Sequence, residues 1–340
     1  MLRMAILGMG WAGTRHVQAI RELGGSTIDI ACIVDNDEAF LKTKGDELQI
    51  GRQVTDYRVA LADPEVNAVS ICLPHALHCP VAVEAASAGK HILCEKPIAL
   101  SVSDATSMIE AARRNGVKLF VAENAAYTPM ARYLREIIAS QSLVGNVTFA
   151  NVVEGFRALD YGYPGRRSWL STPDRGGTGT WMLHGIHSVA RLRYILGEVE
   201  SVYMQQHRSN SFTRTDLEGT MSGLTKLASG IHVSITQTCE TYLGARKGYY
   251  LYGTRGTIHA MEDGGEVTLD TGETQALRYA REDLSPYALE MQAFADYVSR
   301  GIIGPTTGES ERRSLAVVQA GYESARSGQP INLRERFGNL

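Results

Sequence analysis

The chain has 340 residues, 44% hydrophobic and 21% charged, with a formal net charge of -3 at pH 7. That length supports two domains, each with its own core, in a chain of ordinary globular composition. No basic stripe is present to neutralise phosphates, which excludes nucleic acid, and the apolar runs are only strand-sized, which excludes a membrane-spanning helix.

The first apolar run, Met4-Ala5-Ile6-Leu7, predicts a strand, and Gly8-Met9-Gly10-Trp11-Ala12-Gly13 follows it directly. A second strand, Ile28 to Val34, ends in Asp35. This is the layout of a dinucleotide-binding βαβ unit. Gly8 allows the tight turn, Gly10 leaves room for a pyrophosphate, and Gly13 lets the helix pack closely on the sheet. The helix Gly13–Leu23 then points its N-terminal N–H groups at the phosphates, with Trp11 and Ala12 in the same loop. Asp35 can accept both hydroxyls of an adenine ribose and would repel a 2′-phosphate, so NAD is the expected cofactor. Strands at Gln53–Thr55, Ala68–Cys72, His91–Cys94 and Lys118–Val121 alternate with helices at Asp37–Leu48, Tyr57–Ala62, Cys79–Ala88 and Val102–Asn115. Short connections and helical crossovers predict a parallel sheet covered on both faces.

A connecting helix is expected over Pro129–Ser140. Beyond it the pattern changes, with strands at Val147–Val153, Val199–Arg208, Gly219–Lys226, His232–Glu240 and Tyr249–Gly253. Short turns between them predict a mostly antiparallel sheet with one packed and one open face, the open one being a surface for pairing of subunits. Helices are expected at Leu183–Leu196, Pro286–Ser299 and Glu309–Ser327. The expected fold class is therefore α/β: an N-terminal dinucleotide-binding domain over residues 1–122 and a C-terminal substrate and oligomerisation domain over 123–340. Five cysteines, an odd number with no CxxC spacing, predict reduced thiols, no metal site and a cytoplasmic setting. A strand that begins at the fourth residue leaves no room for a signal peptide. Cys94 is read as a buried small hydrophobe.

Three places converge on the expected cofactor crevice, since ligands of a doubly wound sheet sit at the carboxyl ends of its strands. The first is the loop Leu73-Pro74-His75 leading to His78, which is either a helix N-terminal group near the pyrophosphate or a surface residue. The second is Glu95-Lys96-Pro97, where the Lys96 ammonium can hold a reacting hydroxyl and exchange its proton. The third is His184 and His187, three residues apart on a helix and suited to proton transfer. Arg157, Arg166 and Arg167, before Trp169, are candidate clamps for a substrate carboxylate or phosphate.

The chain resembles the glucose-fructose oxidoreductase and inositol 2-dehydrogenase family over nearly its whole length. The matching motifs are Gly8 to Gly13, Glu95-Lys96-Pro97 and Gly176-Gly177 leading to Gly185-Ile186-His187. Asn124 to Pro129, Gly253 to Gly256 and Ser324 to Gly328 support them. The resemblance implies an N-terminal Rossmann domain, a C-terminal α/β domain with a large open sheet, a tightly bound nicotinamide cofactor and assembly as a homodimer or homotetramer. It implies that Lys96 is the catalytic lysine and His187 the proton-transfer residue, acting on a small polyol or diol. The family's second motif usually reads Asp-x-Gly-x-His, and here Leu183 replaces the aspartate. His184, Glu123 or the Arg157–Trp169 loop would then share in substrate binding, with Asn124 beside it. The leading expectation is an NAD-dependent dehydrogenase of a sugar, sugar acid or cyclitol. The alternatives are a cis-dihydrodiol dehydrogenase acting on a carboxylated aromatic diol, a glycosidase using bound NAD for transient oxidation, and a non-catalytic dinucleotide sensor.

Overall fold

The first strand is apolar along its length because its sheet is covered on both faces, and Met4, Ala5, Ile6 and Leu7 are fully buried. The computed structural model describes residues 1–25, 27–155, 169–170, 178–208, 217–240 and 243–340. In chain order the elements are β1 (Leu2–Leu7), α1 (Trp11–Glu22), β2 (Ile28–Val34), α2 (Glu38–Leu48), β3 (Gln53–Val54), α3 (Tyr57–Ala62), β4 (Ala68–Ile71), α4 (His78–Ser87), β5 (His91–Glu95), α5 (Val102–Arg114) and β6 (Leu119–Ala122). Then come α6 (Pro129–Ser140), β7 (Val147–Gly155), α7 (Ile186–Leu196), β8 (Val199–Arg208), β9 (Glu218–Leu227), β10 (His232–Thr238), β11 (Gly248–Gly253), β12 (Gly256–Met261), β13 (Gly264–Leu269) and β14 (Thr274–Leu277). The chain ends with α8 (Pro286–Arg300), α9 (Gly308–Ser327), β15 (Ile331–Asn332) and α10 (Leu333–Phe337).

Two units result: Met1–Asn124 with Asp283–Arg312, and Ala125–Glu282 with Arg313–Leu340. The first unit thus runs through Asn124 and takes in the segment carrying α8, one of the C-terminal helices.

In the first unit six strands pair in the order β3-β2-β1-β4-β5-β6, every neighbouring pair parallel. Asp37 caps α2 by accepting Phe40 N–H, and Ser101 caps α5 by accepting Asp104 N–H. Met291, Phe294 and Ala295 of α8 join Ile6, Val17, Ile20 and Phe120 in one buried cluster, so α8 completes the cover of this sheet.

The second unit holds a nine-stranded sheet in the order β14-β13-β12-β11-β7-β10-β9-β8-β15. Only β7 and β10 pair in parallel; the others are antiparallel. Val233 and Ile235 of β10 face the core. On the opposite face the register aligns Tyr203, Leu224, Ser234, Asn151, Tyr250 and His259 in one row across six strands. The helix expected from Leu183 begins earlier, as a π-helical turn over Trp181–Gly185 that leads into α7. A side chain on Gly185 would collide with the Trp181 indole, so the glycine lets that ring lie across the widened turn. Among the described residues no helix is long and apolar enough to cross a membrane.

Candidate active site

The glycine loop has the geometry its sequence predicts. Gly8 takes φ +95°, and a Cβ there would collide with the Cys72 carbonyl oxygen; a Cβ on Gly13 would collide with the Gly8 carbonyl oxygen. A Cβ on Gly10 would meet nothing within 4 Å. Gly10 is also the N-cap of α1 and supplies no side-chain cap. The start of this helix therefore has open room and uncapped backbone donors, the arrangement a pyrophosphate requires. Asp35 closes β2, accepting Met9 N–H at 3.0 Å on Oδ2 and Asp37 N–H at 3.1 Å on Oδ1. Trp11 is half exposed, with its ring edge-on to Tyr287 at 6.3 Å and the Arg15 guanidinium over its face. The open glycine loop and the carboxylate that closes β2 have the chemistry to hold a dinucleotide.

Glu95 and Lys96 follow at the carboxyl end of β5. Glu95 Oε2 accepts the Lys96 backbone N–H at 3.0 Å, and Oε1 lies 3.1 Å from His16 Nε2. Burial would raise the Glu95 pKa, but the hydrogen bond and charge of His16, with Lys96 and His78, outweigh it and hold the carboxyl ionised. The Lys96–Pro97 peptide is cis. His78 is not a surface residue. It is fully buried, with Nδ1 2.9 Å from Pro97 O and Nε2 2.9 Å from Leu73 O. Its ring ties the Leu73-Pro74 loop to the Lys96-Pro97 loop, and its nitrogens are already engaged. Burial pulls its pKa down, against those two carbonyls. His75 is buried with its ring edge-on to His78. Cys94 is fully buried with its thiol pKa pushed up by burial, as expected of a packing group. Glu123, expected at the substrate, is completely buried, whereas Asn124 is partly exposed.

In the second unit His184 lies in the π-helical turn and His187 in the first turn of α7, with ring centroids 6.3 Å apart. The turn is held from below by Glu218, whose Oε1 accepts Trp181 N–H at 2.9 Å and Tyr322 O–H at 2.8 Å. Tyr322 in turn accepts Met182 N–H at 3.1 Å. Gly179, the last glycine before this turn, has no room for a side chain because Glu218 lies against it. Leu183 is buried in a small apolar cluster with Leu170 and Cys239, flanked by Trp169 and Leu217. Arg157, Arg166 and Arg167, and Gly176 and Gly177 of the family motif, lie outside the described residues.

Sequence reasoning passed over His16, Ser70 and Glu290 in the first unit and Glu218 and Tyr322 in the second. The available signal was a charged or imidazole side chain at a core position: His16 sits beside Val17 on the inner face of α1, and Glu290 beside Met291 on that of α8.

The sequence pattern of the oxidoreductase family with an NAD-binding Rossmann fold matches residues 2–123, and that of the GFO/IDH/MocA C-terminal domain matches residues 131–259. A 1,5-anhydro-D-fructose reductase of Ensifer adhaerens is 28% identical, over 93% of this chain and 94% of its own. A D-xylose 1-dehydrogenase (NADP(+)) of Haloferax volcanii is also 28% identical, over 98% of this chain and 100% of its own. Among solved structures, an oxidoreductase from Agrobacterium radiobacter in complex with NAD+, L-tartaric acid and magnesium superposes with a TM-score of 0.86. It is 24% identical and covers 99% of both chains, a likeness of fold. With both domain patterns matched in order on a parallel Rossmann sheet and a large open sheet, the chain belongs to the GFO/IDH/MocA family of oxidoreductases.

Proposed function

We propose that the protein is an NAD-dependent dehydrogenase that oxidises a secondary hydroxyl of a sugar, sugar acid or cyclitol. The observation that carries this reading is the carboxyl end of the first unit's sheet, where a glycine-loop helix without a side-chain cap follows β1, Asp35 closes β2 and the Glu95-held Lys96 follows β5. NAD bound there supplies a hydride acceptor. Lys96 donates a hydrogen bond to the substrate oxygen and favours the developing alkoxide, while His187 accepts the hydroxyl proton. His184 and Asn124 add polar contacts to the remaining hydroxyls. The names of the relatives, a reductase and a dehydrogenase of sugars, support a polyol substrate. One of them carries NADP in its name; the carboxylate of Asp35 supports NAD in this chain. Leu183, whose presence prompted the dihydrodiol reading, packs with Leu170 and Cys239, and no observation favours that alternative, the glycosidase or the sensor. All five cysteines are free thiols, which supports a reducing, cytoplasmic setting. The open sheet face, with Phe149 stacked on Tyr252 at 4.2 Å and Tyr250 on His259 at 4.1 Å, supports pairing with a second copy.

The test is NADH formation with sugars, sugar acids, inositols and aromatic dihydrodiols, using NAD and NADP in parallel. Lys96→Ala and His187→Ala should each cost ~10²–10⁴-fold in kcat with NAD binding little changed. Their combined loss should be less than multiplicative if they share one proton-transfer step. Near-normal turnover in His187→Ala would move that role to His184.

A further inference from the structure

Beneath Lys96 lies a largely buried hydrogen-bonded chain whose other members the proposed reaction does not use. His16, on the helix that follows the glycine loop, is fully buried. Its Nδ1 lies 2.6 Å from Ser70 Oγ on β4, and its Nε2 3.1 Å from Glu95 Oε1 on β5. The other Glu95 oxygen accepts the Lys96 backbone N–H at 3.0 Å. Cys72 Sγ sits 3.4 Å from both His16 Nδ1 and Ser70 Oγ. The chain Ser70–His16–Glu95–Lys96 therefore joins helix α1, the neighbouring strands β4 and β5, and the loop that carries the lysine.

Such an arrangement is costly unless every member is satisfied, because a carboxylate taken out of water needs a paired charge or several donors. Here Glu95 has both: an imidazole on one oxygen and a backbone N–H on the other. Its charge also acts on Lys96 and on His78. Burial alone would lower the His16 pKa; contact with the Cys72 sulfur and the hydrogen bond and charge of Glu95 outweigh it and keep the imidazole protonated well above its usual range. From α8, Glu290 and Tyr287 also face this group, as does Glu123 at the end of β6.

We propose that the His16–Glu95 pair is the positioning device of Lys96: the Glu95 carboxylate fixes the lysine's backbone and favours its ammonium, and the His16 imidazolium offsets that charge. This rests on the reading of Lys96 as the group that handles the substrate hydroxyl. An uncompensated negative charge close to an ammonium holds the proton on; a carboxylate already paired with a cation leaves the lysine able to exchange it. The pair also links the dinucleotide helix to the reactive loop, since His16 and the glycine loop share α1.

The decisive measurement is the titration of Lys96 itself, followed by competitive acetylation of its amine across pH and mass spectrometry of the Lys96 peptide. It reads the lysine whether or not the lysine is used in turnover. Glu95→Gln removes the negative charge and should shift the Lys96 midpoint down by about one pH unit, whereas His16→Gln unmasks that charge and should shift it up by a similar amount. Turnover should follow: in each variant the pH profile of kcat/KM moves in the same direction as the labelling midpoint, and kcat falls ~10-fold or more with KM for NAD within about threefold. Should a substituted protein fail to fold, ¹⁵N-histidine NMR of the unaltered protein supplies a second test. One imidazole should stay doubly protonated well above the usual histidine range. Shifts of Lys96 in the same direction in both variants, no shift in either, or the absence of such an imidazole would overturn the proposal. Opposite shifts by labelling with an unmoved kcat/KM profile would uphold the pair as the support of Lys96 and sink the role of Lys96 in catalysis instead.

Discussion

Asp35 accepts the backbone N–H of Met9 at 3.0 Å, so the carboxylate expected to meet the cofactor ribose also closes the glycine loop. Both jobs fall to one side chain because β2 runs beside β1 and its end lies against the turn that leaves β1.

Replacing Asp35 therefore has two separable effects. Asp35→Ser should weaken NAD binding by roughly 10–100-fold through loss of charge-assisted hydrogen bonds, and should narrow the preference over NADP. It should also lower stability by about 1–3 kcal/mol, since the Met9 N–H is left without its buried acceptor. Asp35→Asn keeps a carbonyl oxygen for Met9 and should retain most of that stability while still losing discrimination. Paired cofactor titrations and melting curves are the check. Equal or better use of NADP by the unaltered protein would sink the assignment of Asp35.

Leu183 occupies the position where the family usually places aspartate. Its burial beside Leu170 and Cys239 predicts a structural penalty for restoring the carboxylate. Leu183→Asp would place a charge in an apolar cluster, costing about 2–4 kcal/mol, while Leu183→Met should cost under about 1.5. Thermal unfolding measures the first effect, and kcat/KM for polyols in the folded fraction measures the second. A Leu183→Asp protein as stable as the original but changed in KM would place Leu183 against the substrate instead.

How much of this was legible in the sequence follows from what each signal depends on. The strands of the first unit are near-continuous apolar runs with helices between them, and the bounds that the pattern predicts for Ile28–Val34 and Pro129–Ser140 match the structure to the residue. Glycine identities carried the turn, because Gly8 and Gly13 sit where a Cβ collides with backbone. By contrast β12, β13 and β14 are short strands of four to six residues, rich in glycine, threonine and polar side chains, and β15 has only two residues, so the sequence pattern does not mark them. The π-helical turn is held by Glu218 and Tyr322, which bond Trp181 N–H and Met182 N–H from far along the chain, contacts that periodicity does not encode. His16, Glu95 and Glu290 meet only because α1, β5 and α8 converge, from positions far apart in the chain.

The row Tyr203, Leu224, Ser234, Asn151, Tyr250 and His259 on the open face carries the proposed subunit contact. Leu224 in this row is 54% exposed, so an arginine can be accommodated there without touching the core. If two copies pair through this face as proposed, Leu224→Arg should give a smaller species than the unaltered protein in sedimentation velocity, with two like charges brought together across a symmetric interface. Local folding should be unaffected, since surface substitutions stay within about 0.5 kcal/mol. An unchanged sedimentation coefficient would place the interface elsewhere.

Glu290 makes the last prediction, and its sign can be worked out. The side chain is 1% exposed, and neither carboxyl oxygen has a hydrogen-bond partner among the described residues. Burial raises its pKa well above the usual carboxylate range; the His16 charge opposes this, and Glu95 and Glu123 add to it. The folded protein thus keeps a proton that the unfolded chain releases once the pH passes the ordinary glutamate value. Folding stability from this group therefore falls as pH rises from that value towards the raised one. Glu290→Gln is neutral in both states and removes the dependence. Its melting temperature relative to the unaltered protein should climb as pH rises above about 4.5 towards the raised value, after starting near or below parity. The His16 contribution runs in the same direction, being present below the ordinary histidine value and lost as pH rises through the raised one, but it is common to both proteins. A difference in melting temperature that stays flat across this range would mean that Glu290 is ionised in the folded state.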